Sequence, residues 1–502
     1  MQCPKCGSEN PDNAQLCSVC ACVLKNHSAE SNKAYPRTDR LAVISLVLSI
    51  FGLFTFLITS ALSIALAITS LVRISRRTPE LKGRWLAVTA IVISALTLLI
   101  FVGVVVLWTV DADPIPNDYT VADLRSAPPE CSASYELLST LVEEQEEPSG
   151  APAIGLSAQD VNTIEKLRKV IREADYAEIT QALEENSDNI NLAWENAKRG
   201  RNVISELDTF PEIADLTEPD IDAEMGFLRS FRHLACLYDV YVCLQSRQTD
   251  NQTAVDELIQ VDSVFRKLSV NARSTVTKLV CFAYLNMGIT TANFIVNNPR
   301  TSRQTLELLA EHFTPLAAEQ MSLRNSNICE YLMEKNILDT QLGTCRKSPV
   351  LKYNSTLRLC RNRCDRWIAL EQKSQEISTA MLSVWPSGYP MPQVSLDSNC
   401  RLPWFYEGYN PMGSLVATIL VPAMEKVFEI KTKLQIEDDL FQIVLAKKLG
   451  GQSSLKARAY SHEYIIDMDN KKIFSPGPDG EPDTCDDIKL PINPQTFELS
   501  LP

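Results

Sequence analysis

The chain has 502 residues, 45% of them apolar and 22% charged, with a formal net charge of −14. That length suggests about three folding units, and the balance excludes bulk disorder and a nucleic-acid binder that works through an overall basic surface. The charge is split, however: residues 1–110 carry ten Lys/Arg against five Asp/Glu, and the rest of the chain carries 38 against 57.

The chain opens MQCPKCGSENPDNAQLCSVC, with Cys3 and Cys6 in one Cys-x-x-Cys pair and Cys17 and Cys20 in a second, ten residues apart. Two such corners can set four sulfurs tetrahedrally around Zn²⁺. Gly7, just past the first corner, lets the chain fold back so that backbone N–H groups reach the thiolates. A unit this small buries no useful core, so metal binding would supply its folding energy. The alternatives are two disulfides or a redox pair, with Cys22 as a spare thiol. The segment resembles the short zinc ribbons at the N-termini of many bacterial membrane proteins, which implies a structural zinc on Cys3, Cys6, Cys17 and Cys20. With Lys5 and Lys25 its only basic residues and no aromatic, residues 1–25 carry no track for nucleic acid.

After a polar linker over 26–40, an uncharged run of 32 residues extends from Leu41 to Val72, and one of 26 from Trp85 to Val110. A single span needs about 20 residues, so the second run is one span with Trp85 and Trp108 at its ends. The first would reach about 48 Å as one helix. It is therefore either a strongly tilted span or a hairpin of two short passes turning near Thr59–Ser60. Lys25, Lys33, Arg37 and Arg40 precede it, and Arg73, Arg76, Arg77, Lys82 and Arg84 follow. Both flanks read as cytoplasmic, which favours two passes, then one outward pass. The bilayer is then a partner, the protein sits in the inner membrane as a multi-pass chain, and the acidic remainder lies outside the cytoplasm. A single first pass reverses this. Apolar sequence begins only at Leu41, so no cleavable signal peptide is expected. LAVISLVLSIFGLF, the exit LVRIS and the returning GRWLAVTAIVISAL resemble, over about residues 38–110, a bacterial membrane domain of unknown function found behind zinc ribbons. The resemblance implies anchoring and no known activity. The membrane domain is bounded at 41–110.

Residues 111–154 read as a Pro- and acid-rich linker. Ser157 with Asp160 then offers a helix cap, and Val161, Ile164, Leu167 and Val170 recur at helical spacing. Similar stretches at 186–206, 221–247, 253–296, 302–312 and 315–340 predict a mainly helical domain over 155–385. Ten cysteines lie beyond residue 110, an even number open to disulfides or to plain burial. His233 reads as a core residue, and the acidic pairs Glu184–Glu185 and Asp438–Asp439 as solvated faces. No GxSxG, P-loop or GxGxxG occurs, so no enzyme is expected.

Residues 386–449 read as a loop and a long helix, and the part over about 409–449 resembles a region of large uncharacterised bacterial envelope proteins. Residues 450–502 read as a β-hairpin with an acidic loop: Tyr464, Ile466 and Met468 alternate before a turn at Asp469-Asn470. The loop SPGPDGEPDTCDD then gathers Asp479, Asp483, Asp486 and Asp487 within nine residues. Clustered carboxylates suit Ca²⁺, and a solvated acidic loop is the plain alternative. Over 460–490 the segment resembles the calcium loop of the major pseudopilin of type II secretion, without that protein's processing site or spine helix. The expected fold is therefore mainly α: a zinc ribbon, transmembrane helices, a large α-helical soluble domain and a short C-terminal β-hairpin. The expected function is a non-catalytic membrane-anchored envelope protein that scaffolds or binds protein partners. Alternatives are an accessory component of a secretion or pilus-like system and an outer-domain hydrolase.

Overall fold

The computed structural model describes residues 1–12, 14–24, 37–55, 58–76, 81–141, 154–173, 176–220, 223, 225–247, 252–340, 351–372, 410, 424–451, 463–477, 480–484 and 486–492. The chain divides into two compact units, Met1–Val110 and Asp111–Pro502.

In the first unit the long apolar run is broken into two helices, α1 (Arg40–Thr55) and α2 (Ile58–Arg76), and the second run forms α3 (Arg84–Thr109). α2 begins at Ile58, so Thr59 and Ser60 lie inside it rather than at a turn. The helices pack through small side chains: Ala42, Ser45 and Ser49 on α1, Ser60, Ser63, Ala67 and Ser70 on α2, and Ala87, Ala90 and Ser94 on α3 are all fully buried. Small residues three and four positions apart let helix backbones approach closely where lipid offers no hydrophobic drive between helices. Ser63 Oγ donates across to the Ser45 carbonyl at 2.7 Å. Valines, leucines and isoleucines such as Val47, Leu62, Val92 and Leu99 face outward instead. At one end, β1 (Arg37–Thr38) and β2 (Leu81–Lys82) pair in parallel. Buried Asp39 completes that end: its N–H donates to the Lys82 carbonyl at 2.9 Å, and its carboxylate accepts from Ser70 Oγ at 2.7 Å. The start of α1, the last turns of α2 and the start of α3 are thereby held together.

The second unit is helical around one large core and a second, smaller one that gathers Leu124, Ile328, Tyr331, Leu357 and Cys360. α4 is Ser132–Ser139, α5 Ala158–Glu173, α6 Tyr176–Glu185, α7 Ser187–Asn196 and α8 Lys198–Asp208. Then come α9 Phe227–Gln245, α10 Gln252–Asn271, α11 Thr275–Asn297, α12 Arg303–His312, α13 Ala318–Met321, α14 Arg324–Thr340, α15 Tyr353–Gln372 and α16 Met424–Lys448. The expected cap at Ser157 is present: its Oγ accepts from Asp160 N–H at 3.1 Å, while its own N–H donates to Asp160 Oδ2 at 2.9 Å. The stretch read as 253–296 is two helices, because Ser274 caps a new one by accepting from Thr277 N–H. α11 is the central element, packed on α9, α10 and α16. Among the described residues it is one of three helices long and apolar enough to cross a membrane, with α2 and α3. Unlike them it is mostly covered by protein, and Lys278, Asn293 and Asn297 on it are buried polar residues.

Two expectations change here. Residues 111–141 are not a free linker: Asp111 accepts the backbone N–H groups of Asn354 and Ser355, and Asp118 accepts from Tyr331 Oη and Lys335 Nζ, both at 2.6 Å. Cys131, Leu138 and Leu141 are buried. Of the acids and prolines that suggested a linker, Asp111 and Asp118 are pairing groups and Pro129 opens a 3₁₀ turn, while residues 142–153 lie outside the described residues. Asp438 and Asp439 are buried as well. Asp438 accepts from Leu316 N–H at 3.0 Å and Asp439 from Tyr464 Oη at 2.7 Å, which ties α16 to the segment before α13 and to the residue preceding β3.

The C-terminal strands β3 (Ile465–Asp467), β4 (Lys472–Ser475) and β5 (Ile488–Pro491) form an antiparallel sheet in the order β3-β4-β5. The expected hairpin is β3-β4, with Asp467 accepting from the Asn470 N–H in the turn. A third strand returns after the acidic loop and pairs Ile473 with Leu490. Ile473, Leu490 and Ile492 join the same core as Phe441 and Val444 of α16.

Candidate metal centre

The four N-terminal cysteines converge as expected. One ligand atom from each of Cys3, Cys6, Cys17 and Cys20 lies within 4.8 Å of every other. Cys3 Sγ to Cys20 Sγ and Cys6 Sγ to Cys17 Sγ are both 3.5 Å. A tetrahedral S₄ site with metal–sulfur bonds of about 2.3 Å has sulfur–sulfur edges of about 3.8 Å, so the quartet fits one ion with small adjustments. Cys3 and Cys17 are buried and Cys6 is exposed.

Two copies of one backbone turn build the site. In the first, Gly7 N–H donates to the Cys3 carbonyl at 2.8 Å and Cys3 N–H to the Ser8 carbonyl at 2.9 Å. In the second, fourteen residues on, Ala21 N–H donates to the Cys17 carbonyl at 2.8 Å and Cys17 N–H to the Cys22 carbonyl at 2.7 Å. Bridges Gln2–Glu9 and Leu16–Val23 close each turn in the same register. Both turns need a left-handed residue after the second cysteine: Gly7 has φ 72° and Ala21 φ 50°. The glycine takes this conformation freely, whereas the alanine carries a steric penalty.

A second layer holds the sulfurs. Ser8 Oγ lies 2.9 Å from Cys6 Sγ and 3.2 Å from Cys17 Sγ. Asn10 is buried and bridges the two turns: its Nδ2 donates to the Ser8 carbonyl at 2.9 Å, and its Oδ1 accepts Ser18 N–H at 2.8 Å. The Ser8 hydroxyl is the main influence drawing the Cys6 and Cys17 thiols down, toward thiolate. Cys20 moves the other way. The Cys22 backbone N–H favours its thiolate, but the neighbouring Cys6 sulfur and burial outweigh it and push the thiol up. Four thiols this close cannot all ionise without a cation among them, and a divalent ion relieves that competition. Sequence spacing located the four ligands. Ser8 and Asn10 carried no signal, because their role depends on the second turn coming to meet the first.

The acidic loop is arranged differently. Asp479 and Cys485 lie outside the described residues. Asp483 Oδ1 accepts from Lys472 Nζ at 2.8 Å, Asp487 Oδ2 accepts from Asp483 N–H at 3.0 Å and lies 3.4 Å from Lys489 Nζ, and Asp486 Oδ1 accepts from Thr484 Oγ1 at 2.6 Å. Gly477 (φ 69°) is required here, since a Cβ would stand 2.5 Å from Asp486 Oδ2. Among the described residues the cysteine quartet is the one grouping of three or more possible ligands gathered for an ion.

The remaining cysteines are thiols where described. Cys131, Cys236, Cys243, Cys281, Cys329, Cys360 and Cys364 are buried and unbonded. Burial pushes Cys236 up to about 11 and Cys281 up to about 12. Cys345 and Cys400 lie outside the described residues. His233 sits on α9 with its Nε2 4.0 Å from Glu165 Oε1.

Comparison with known proteins finds one family model, a domain of unknown function (DUF4190), matching residues 41–104. The match covers α1, α2 and most of α3. No curated protein and no solved structure matches the chain. The comparisons give no support to the expected likeness of the final loop to a pseudopilin or of the chain to envelope proteins.

Proposed function

We propose that the protein is a non-catalytic membrane anchor of the bacterial inner membrane, with a cytoplasmic zinc ribbon and a large helical domain on the opposite side that scaffolds or binds protein partners. The observation that carries this reading is the β1–β2 pair with its Asp39 clasp. It brings the basic residues before α1 and those between α2 and α3 to one end of the bundle. Under the positive-inside rule that end faces the cytoplasm, and three passes lead away from it to Asp111. The reducing compartment then holds the thiolates of the ribbon, where Zn²⁺ suits an all-sulfur set closed to substrate.

A scaffolding role, rather than catalysis, is favoured by how the large unit uses its buried acids. Asp262 pairs with Arg266, Glu334 with Arg363, and Glu371 with Lys431. Asp215 accepts from Thr217 and from the Arg273 N–H. The Asp262–Arg266 pair lies within α10, and the others each join one helix or segment to another. Calcium at the final loop is not part of this reading, because Lys472 and Lys489 already pair with Asp483 and Asp487, and Thr484 donates to Asp486.

Topology is the deciding test. Cys131 is buried and a poor probe, so an exposed site is needed; Leu192 on α7 is 59% exposed. In intact cells a membrane-impermeant maleimide should label Leu192→Cys above the wild-type background. Labelling only after the inner membrane is opened overturns the orientation. Zinc is tested on the purified full chain, which should hold about one equivalent of metal that is lost from Cys6→Ser/Cys20→Ser.

A further inference from the structure

We infer that the basic end of the three-helix bundle is a docking surface for the phosphate headgroups of anionic phospholipids. The inference rests on the membrane reading above and names the leaflet chemistry which that end would meet. Six cations crowd there: Arg37 on β1, Arg40 at the start of α1, Arg73 and Arg76 in the last turn of α2, Lys82 on β2, and Arg84 at the start of α3. The parallel register sets Arg37 opposite Leu81 and Thr38 opposite Lys82. Asp39 binds Ser70 on α2, one turn before Arg73, so the grouping is held by the fold. All six are exposed. None forms an ion pair with a carboxylate among the described residues.

The one described carboxylate at this end does not offset them. Asp39 is 4% exposed, and its oxygens accept from Leu41 N–H and Ser70 Oγ. Two of the three helix termini at this end are N-termini, whose free N–H groups also favour anions. The depth is right as well. Trp85, beside Arg84, is 83% exposed, and an exposed indole at the end of an apolar helix belongs at the headgroup level. A surface with this many uncompensated cations at headgroup depth meets a leaflet in which basic side chains gain from anionic lipid. The guanidinium groups are the better match because they fork onto phosphate oxygens.

Full-length protein in a neutral detergent, titrated with phosphatidylglycerol or phosphatidylcholine and read by native mass spectrometry, tests this. Phosphatidylglycerol should be retained about tenfold more tightly, a preference that high salt should erode. Arg73→Gln/Arg76→Gln/Arg84→Gln should lose the preference, and Arg229→Gln/Arg303→Gln in the large unit should keep it. Millimolar inorganic phosphate should not displace the lipid; full displacement would reassign the surface to free phosphate. A chain that needs detergent but retains both lipids equally, or a triple variant with an unchanged preference and melting temperature, overturns the inference alone. A chain that stays monodisperse without detergent overturns the membrane reading beneath it.

Discussion

Ala21 and Gly7 occupy equivalent places in two superimposable turns, yet only one of them is a glycine. The left-handed φ at Ala21 stores a penalty that Ala21→Gly removes, and that variant should hold metal more tightly, by up to about 1 kcal/mol. Gly7→Ala should lose a similar amount, since a Cβ there meets nothing within 4 Å and the effect is backbone alone. Competition with a chromophoric chelator reads both. A second residue-scale expectation concerns pH. Asp239 on α9 is buried, and desolvation raises its carboxyl to about 7 against the partial relief of Arg168 and of Thr291, whose Oγ1 lies 3.1 Å away. The folded chain thus holds a proton that the unfolded chain releases near pH 4. Stability falls as pH rises through that window, and Glu334 and Glu437, also raised to about 7 by burial, add to the fall. Asp239→Asn should flatten the decline of melting temperature between pH 5 and pH 8 (a change of roughly 2 °C or more).

At the scale of elements, the ties between helices are single buried polar contacts on an apolar background. Tyr464→Phe removes the hydroxyl that donates to Asp439 and should destabilise the large unit by about 1–2 kcal/mol, read as a lower urea midpoint with an unchanged slope. The acidic loop gives the contrasting case. Its described carboxylates are met by Lys472, Lys489 and Thr484, so millimolar Ca²⁺ should leave the melting temperature of the purified chain unmoved. A rise that a chelator reverses would restore the calcium site. These elements also mark where the sequence could be read and where it could not. The quartet Cys3, Cys6, Cys17 and Cys20, the two apolar runs and the cap at Ser157 declare themselves through local spacing. Asp438–Asp439, β5 and residues 111–141 do not, because what each one does is set by a partner far away in the chain. Adjacent acids look solvated until Tyr464 and Leu316 are brought beside them. A proline-rich acidic stretch looks like a linker until Asn354 and Lys335 arrive.

Across the whole molecule, two solvents have shaped two kinds of packing. The first unit turns its small residues inward and its large apolar ones outward; the second does the reverse, with Phe231, Phe265, Phe282 and Phe441 fully buried. α11 belongs to the second kind, although its composition belongs to the first. That has a consequence for how the chain is made. α11 is complete at Asn297, but α16, which covers one of its sides, begins only at Met424. For well over a hundred residues of synthesis the nascent protein offers an insertion machinery a segment as greasy as a genuine anchor, and Lys278, Asn293 and Asn297 are the groups that would argue against its entering the lipid. A transcript truncated before codon 424 should therefore yield a product that clumps or lodges in the bilayer, even though every anchoring helix it needs is present.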